Sequence, residues 1–134
     1  MIDILNEIFN TVAKSVRKAH SGTTVIGEYV RQPSKFPCVA LDETENVVIG
    51  NLEDSSDEEK FAGLTYRLQV FSNKTSGKKA EARAIFATVD KVMRGFGFRR
   101  VTYTATPEIY ESTIYSIMAT YEATVDVNGN IYKR

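Results

Sequence analysis

The chain has 134 residues, of which 43% are hydrophobic and 25% charged, as expected for one globular domain over residues 1–134. Seventeen basic and seventeen acidic residues cancel, so the chain lacks the positive charge of a protein that binds DNA or RNA irrespective of sequence. No apolar run approaches the roughly 20 residues of a membrane span, and a single cysteine excludes an internal disulfide framework. We therefore expect no membrane partner, no specific nucleic-acid binding and a reducing cytoplasm.

The N-terminal part combines a helix with two strands. Apolar residues spaced by three and four predict an amphipathic helix from about Asp3 to Ala19, which Ser21-Gly22 ends. β-Branched residues predict a first strand over 23–30. A second strand begins near Cys38, whose thiol we interpret as a small buried hydrophobic group.

The stretch from Asp42 to Lys60 gives the weakest pattern. VVIGNL at 47–52 is compatible with a short strand, and the acidic, serine-containing run after it predicts an exposed loop. That run lacks the alternating ligand spacing and the turn glycine of an EF-hand loop, so no metal site is predicted there. Its acids are Glu53, Asp54, Asp57, Glu58 and Glu59.

The central part of the chain predicts a strand followed by a helix. Apolar and polar residues alternate over 64–70, which predicts a strand with its even positions facing the core. Apolar residues over 82–96 then repeat at helical spacing. Thr75-Ser76 offers candidate N-caps for this helix, and Gly95 or Gly97 is suited to end it.

The C-terminal part predicts a strand over 98–104 and a long strand that begins near Ser112. This long strand alternates, with its apolar odd positions from 115 to 127 on one face. Asn128-Gly129 follows and predicts a type I′ turn, after which Ile131-Tyr132 pairs backward. The order of elements fits an α+β domain: a mainly antiparallel sheet of four to six strands, with the N-terminal helix and a second helix packed on one face.

The sequence contains no recognisable catalytic constellation. Its one histidine, His20, stands at a predicted helix end without a cysteine or carboxylate at ligand spacing, which favours a surface or helix-capping role. A nucleophile elbow, a phosphate-binding glycine loop and an HExxH motif are all missing from the sequence. We expect a binding protein without a cofactor or a metal, and not an enzyme.

Aromatic residues are a second signal for binding. Several lie at strand ends or away from the predicted core faces, where amphipathic aromatic side chains often mark protein interfaces. The alternative is that most are ordinary core or half-exposed residues. The residues concerned are Tyr29, Phe36, Phe71, Tyr103, Tyr110 and Tyr132.

Three segments carry a resemblance to a known family: KFPCVAL, then TYRLQVFSNKTSGKKAEARAIFATVDKVMRGFGFRR, and finally PEIYESTIYSIMATYEATVDVNGNIYKR. Together with the N-terminal helix, they resemble the tail terminator or tail completion proteins of long-tailed bacteriophages and prophages. The resemblance implies a homo-oligomeric ring, commonly a hexamer, that caps the tail tube, stops its polymerisation and presents a surface to the head-tail connector. It also implies assembly in the host cytoplasm and a place at the head-proximal end of the virion tail.

If the chain forms such a ring, charged segments are candidates for contacts between subunits or with the tail tube. We predict that 47–60, with the acids Glu53, Asp54, Asp57, Glu58 and Glu59, projects from the sheet, and that the paired Arg99 and Arg100 meet acids of a neighbour.

Three alternatives stay open at this point. The first is a head-side completion or stopper protein, or another minor tail component. The second is a small-ligand or nucleic-acid-binding module that uses Arg94, Arg99 and Arg100. The third is an enzyme built on Asp42, Glu43, Glu45 and the acidic run, which lacks an accompanying base or nucleophile.

Overall fold

In the computed structural model, the described residues are 1–49, 61–107 and 113–132. They form two helices and six strands in an α+β arrangement, which confirms the predicted fold class. The elements are α1 (Leu5–Ala19), β1 (Thr24–Ile26), β2 (Cys38–Ile49), β3 (Phe61–Ser72), α2 (Lys78–Phe96), β4 (Arg99–Pro107), β5 (Tyr115–Asp126) and β6 (Ile131–Tyr132).

All six strands belong to one mixed sheet. Its order is β1-β2-β3-β5-β4. β4 pairs with β5 as far as Glu122, and β6 pairs with the next part of β5, at Thr124 and Val125. Only the β1–β2 pair is parallel, and all other pairs are antiparallel. The sheet is therefore mainly antiparallel, as predicted.

Both helices pack on the same face of the sheet and against each other. The period of two in β3 and β5 sends alternate side chains to this face, where they meet the apolar stripes of α1 and α2. The even positions of β3 and the odd positions of β5 supply the centre of the core, as their alternation predicted. Its fully buried strand residues include Leu64, Tyr66, Leu68, Val70, Ile117, Ala119, Tyr121, Ala123 and Val125.

Strand β2 is longer than its sequence pattern indicated. It runs to Ile49 and pairs with β3 along its length. Residues 47–49 of the short strand suggested at 47–52 are therefore the end of β2 and not a separate strand. A register shift between Glu43 and Glu45 interrupts the alternation, because a bulge inserts an extra residue and moves the following side chains to the opposite face.

The first strand is shorter than predicted. It spans Thr24–Ile26 and not 23–30, and the chain then crosses the sheet face opposite the helices before β2 begins. Gln69 of β3 holds this crossing segment: its Nε2 donates to the carbonyl of Val30, and its Oε1 accepts from the Val30 N–H. A side-chain amide thus replaces the ladder bonds that a longer β1 would have made.

Cys38 lies in a small cluster beneath the crossing segment, together with Phe71 and Ile114. It is 1% exposed, and burial raises the pKa of its thiol. The interpretation of Cys38 as a buried hydrophobic group is confirmed.

Two predictions about chain turns were wrong. Helix α2 begins after Gly77, at φ +89°, without a side-chain cap, so Thr75-Ser76 does not provide the N-cap. Asn128-Gly129 does not form a type I′ turn, because Gly129 is the only one of the two at positive φ. Instead, the Gly129 N–H donates to the Asp126 carbonyl, and the Asp126 carboxylate accepts from the N–H groups of Asn128 and Asn130.

The end of α2 was predicted correctly. Gly97 closes it in the left-handed region at φ +107°, and its N–H donates to the Arg94 carbonyl. A Cβ added at Gly97 would stand 3.1 Å from Cγ2 of Ile131 in β6. This glycine therefore serves both the helix end and the close approach of the last strand.

Candidate interaction surfaces

The two arginines predicted at an interface begin β4 and lie on opposite faces of the sheet. Arg99 stands opposite Glu122 on the face away from the helices, with 3.9 Å between Nη2 and Oε2. Arg100 stands opposite Tyr121 on the helix face. Because consecutive strand residues point to opposite sides, these arginines do not form one patch. Their contact with a neighbour stays a prediction.

The acidic residues predicted at an interface, Glu53, Asp54, Asp57, Glu58 and Glu59, lie outside the described residues. The segment 50–60 that contains them joins Ile49, at the end of β2, to Phe61, at the start of β3. Their role likewise stays a prediction.

Asp90 of α2 organises the polar contacts where this helix meets β4 and β5. Its Oδ1 accepts a 2.7 Å hydrogen bond from the Tyr121 hydroxyl and a 3.1 Å hydrogen bond from Arg100 Nη1. Arg94 Nη1 lies 4.0 Å from its other oxygen. Tyr121 is completely buried, and burial together with the hydrogen bond to Asp90 raises the pKa of its hydroxyl. Asp90 thereby fixes where Arg100 lies.

A basic groove follows the boundary between α2 and β4, and we call it the α2–β4 groove. Its floor is aromatic: Phe86 is buried and meets the half-exposed Tyr103 edge to face, with 4.9 Å between ring centroids. The Arg100 guanidinium lies 5.8 and 5.9 Å from these two ring centroids. The lining residues are Arg83, Phe86, Ala87, Asp90, Lys91, Arg94, Arg100 and Tyr103.

The charges of the groove are unbalanced. Four cationic side chains, Arg83, Lys91, Arg94 and Arg100, line it together with the single carboxylate of Asp90. Within the described part of the chain, Asp90 is paired with two of these cations, and Arg83 and Lys91 have no carboxylate partner. The groove is thus a local positive site on a chain without net charge.

The β2–β3 hairpin carries an exposed apolar patch where the described residues stop. Val47, Val48, Ile49 and Phe61 are between 40% and 59% exposed, and we call these four residues the hairpin end. Tyr132 of β6 packs beside Phe61, with 6.1 Å between ring centroids. Val47, Ile49 and Phe61 lie on the sheet face away from the helices, whereas Val48, paired with Ala62, lies on the helix face. Exposed apolar side chains gathered at a sheet end are typical of a contact surface.

The sheet face away from the helices is largely polar. Arg67 makes two hydrogen bonds to the Asp42 carboxylate, at 2.6 and 3.1 Å, and its guanidinium lies 4.2 Å from the Tyr29 ring centroid. Beside this pair, the hydroxyls of Thr102 and Thr120 are 2.7 Å apart. We call this the open face, since among the described residues outside the sheet the crossing segment covers one end of it.

The aromatic residues singled out in the sequence fall into two groups. Tyr29, Tyr103 and Tyr132 are 42–51% exposed, as an interface would require. Phe71 is buried and Phe36 is partly buried, both in the small cluster around Cys38, so these two are packing residues. Tyr110 lies outside the described residues.

His20 links the two helices. Its Nε2 is 2.7 Å from Thr88 Oγ1, which places the imidazole between the end of α1 and the middle of α2. In residues 1–49, 61–107 and 113–132, no group of three or more histidine, cysteine, aspartate or glutamate side chains is arranged to hold a metal ion. No helix among the same residues has the length and apolarity to cross a membrane.

No protein-family model and no curated protein matches the sequence. Among solved structures, the chain is similar to a protein chain in the virion of a native gene transfer agent particle, with a TM-score of 0.62 and 17% sequence identity. The similarity covers 91% of this chain and 94% of the other. At this level of identity, the likeness establishes a common fold over nearly the full length of both chains.

Proposed function

We propose that the chain is a structural protein of a phage-like virion, which forms a ring that caps the tail tube, ends tail polymerisation and provides the surface for head-tail joining. The observation that carries this proposal is the fold shared, over 91% of the chain, with a component of a gene transfer agent virion. The resemblance of the sequence to tail terminator proteins supports the more specific role. On this proposal the protein acts by binding and not by catalysis.

The surfaces of the molecule are compatible with a ring. A closed ring of identical subunits needs two different patches on each subunit, which meet in a heterologous contact. The hairpin end is apolar and lies where β2 and β3 meet the segment between them. The α2–β4 groove is basic and lies along β4, the edge strand of the sheet. Two such unlike patches favour a head-to-tail contact over a two-fold dimer.

The first test is the oligomeric state, measured by native mass spectrometry over a concentration series with negative-stain images of any large species. We expect a closed ring, commonly of six subunits, alone or once purified tail tube protein is added. A chain that stays monomeric with tail tube protein present, and does not bind it, contradicts the proposal.

The segment between β2 and β3 offers a second test. Replacing residues 50–60 by a two-residue Asn-Gly turn keeps the hairpin connected. We expect the shortened protein to fold but to lose ring formation or tail joining. Full ring formation together with full tail joining would show that this segment is not part of an interface.

A head-side completion or stopper protein, or another minor tail component, is the second candidate, because a virion likeness does not distinguish positions within a particle. Binding experiments separate the two: a terminator binds the end of the tail tube, and a stopper binds the head connector alone. A nucleic-acid-binding module is a third candidate, because the α2–β4 groove is positive. Such a module would retard DNA in a gel-shift experiment, and the shift would weaken as salt is added.

A further inference from the structure

We infer that the α2–β4 groove of one copy receives the acidic segment 53–59 of the next copy. This inference rests on the proposed ring and names the contact that would close it. It differs from the sequence prediction, in which Arg99 and Arg100 together met a neighbour's acids, because Arg99 lies on the open face and outside the groove.

Charge complementarity is the first reason. The groove presents Arg83 and Lys91 without a carboxylate partner among the described residues, beside Arg94 and Arg100, which share Asp90. Residues 53–59 carry five carboxylates and no cation. Opposite charges at such a contact fix orientation and accelerate association, and like charges exclude wrong partners.

The aromatic floor is the second reason to expect a peptide. Phe86 and Tyr103 form an apolar strip between the cations, and the half-exposed Tyr103 directs a hydroxyl-bearing ring to the outside. A segment with serines and the apolar Leu52 next to its acids matches a groove that combines cations with aromatic rings.

The length of the segment indicates that the groove belongs to another copy. Arg100 of β4 pairs with Tyr121 of β5, and Tyr121 pairs with Tyr66 of β3. Arg100 is therefore two strands away from β3, at a level five residues beyond Phe61. At about 4.8 Å per strand and about 3.4 Å per residue, that separation is about 20 Å. The eleven residues 50–60 are fixed at both ends, and their midpoint reaches at most about 20 Å from Ile49 or Phe61.

The middle of the segment 50–60 would therefore reach the groove of its own chain only if the segment were fully extended. The five carboxylates are spread from position 53 to position 59, and most of them are too near an anchored end to enter it. The groove of a second copy has no such restriction. A segment that leaves one end of the sheet and a groove along its far edge also make a heterologous contact, as a ring requires.

The test combines charge reversals in the groove and in the segment. Arg83→Glu with Lys91→Glu changes two exposed cations that have no carboxylate partner in the described chain, so folding is preserved. Glu58→Lys with Glu59→Lys reverses two acids of the segment. We expect each double variant to lose the ring in native mass spectrometry and the chain with all four changes to regain it. A matched control, Lys14→Glu with Lys79→Glu, makes the same change in net charge at exposed positions away from the groove and keeps the ring.

A peptide experiment tests the contact without the ring. The free peptide of residues 50–60, titrated into the wild-type protein and followed by fluorescence anisotropy, binds, and its affinity falls by at least about tenfold in the Arg83→Glu, Lys91→Glu variant, because like charges now face each other. A peptide with its acids changed to Gln and Asn is the control and does not bind.

The outcomes separate this inference from the proposed function. A ring that survives every charge reversal, or a peptide that binds neither protein or both equally, overturns the inference and leaves the ring standing. Peptide binding by a chain that never forms a ring supports the contact and contradicts the ring. A short DNA duplex that binds the groove while the acidic peptide does not overturns the inference in favour of a nucleic-acid site.

Discussion

The two faces of the sheet differ in what they contribute to the molecule. On the helix face, alternate residues of β3 and β5 are completely buried against α1 and α2. On the open face, the intervening residues of the same strands are polar, charged or half-exposed, apart from Gly63 and Phe71. Phe71 is buried at the end of this face that the crossing segment before β2 covers. Each of these strands thus stabilises the fold through the side chains on its helix face and exposes the side chains on its open face for contacts.

The comparison suggests a division between folding and binding. Burial of apolar area is the main stabilising contribution, and it is concentrated on the helix face. The exposed side chains of the open face, the hairpin end and the α2–β4 groove can change with little cost to stability. The buried Phe86 and Asp90, which accepts from the buried Tyr121, also contribute to folding. Substitutions at adjacent positions of one strand test this division directly.

Ile117→Ala and Met118→Ala make the sharpest pair. Ile117 is 1% exposed on the helix face, and Met118, its neighbour in β5, is 38% exposed on the open face. We expect Ile117→Ala to lower the free energy of unfolding by about 2–5 kcal/mol, because it leaves a cavity, and Met118→Ala to lower it by less than about 1 kcal/mol. Urea unfolding measures both, and equal losses would remove the distinction between the faces.

A second pair compares polar groups on the two faces. Tyr121→Phe removes a buried hydroxyl that donates to Asp90, and we expect a loss of about 1.5–3 kcal/mol, since the acceptor is charged. Thr120→Ala removes the hydroxyl that meets Thr102 on the open face, with a loss of less than about 0.5 kcal/mol. Thermal and urea unfolding give both values. A larger loss at Thr120 would mean that the open face also contributes to folding.

The ion pair on the open face gives a smaller effect. Arg67→Ala removes the two bonds to Asp42 and the contact with Tyr29, and we expect a loss of about 1 kcal/mol that shrinks in high salt. Arg67→Lys should fall between the wild type and the alanine variant, because lysine keeps the charge without the two-point geometry. A loss that does not change with salt would indicate packing and not charge.

Glu43→Gln is expected to raise stability, with the smallest change of the series. Burial raises the pKa of the Glu43 carboxyl, and the negative charge of Asp3 acts in the same direction. A raised folded-state pKa means that the stability contributed by Glu43 is complete below its unfolded pKa and is lost as pH rises through the folded pKa. The glutamine variant should therefore be more stable at pH 7 and equal to the wild type near pH 4. Urea unfolding at both pH values measures this, and an unchanged gap at pH 4 would contradict it.

The arrangement around Glu43 explains why a neutral side chain suits this site. Glu43 Oε1, Asn46 Oδ1 and the Tyr66 hydroxyl are buried and have no hydrogen-bond partner among the described residues. An amide at position 43 supplies a donor among these oxygen atoms. Glu45→Gln, at an exposed position across the bulge, is the matched control and should have no effect at either pH.

Most of the fold was predictable because periodicity is a strong local signal. The alternation in β3 and β5 and the apolar spacing in α2 identified both the elements and the residues they bury. The errors in strand length fell where a non-local contact decides the structure, whereas the two wrong turn predictions failed on local backbone conformation. The bulge between Glu43 and Glu45 concealed the length of β2. Val30, which was predicted to lie in β1, is instead bonded by the side chain of Gln69, 39 positions away.

The interaction surfaces were less predictable. The sequence singled out Arg100, but it did not show that Arg83, Lys91 and Arg94 of α2 line the same groove. Arg83, Lys91 and Arg94 share one helix face, toward β4, with Ala87 and Asp90. A search for cations on a helix face next to the following strand would have found them. Arg99 looked equivalent in sequence and lies on the opposite side of the sheet, because neighbours in a strand alternate.

The burial of Cys38 has a practical consequence for labelling. The chain has this one cysteine, and its thiol is enclosed beneath the crossing segment with a raised pKa, so little reactive thiolate forms at neutral pH. A second cysteine introduced at an exposed position, such as Lys91 or Val48, will carry nearly all of a maleimide dye in the folded protein. A single introduced cysteine therefore allows single-site fluorescent labelling, and Cys38 does not first have to be replaced.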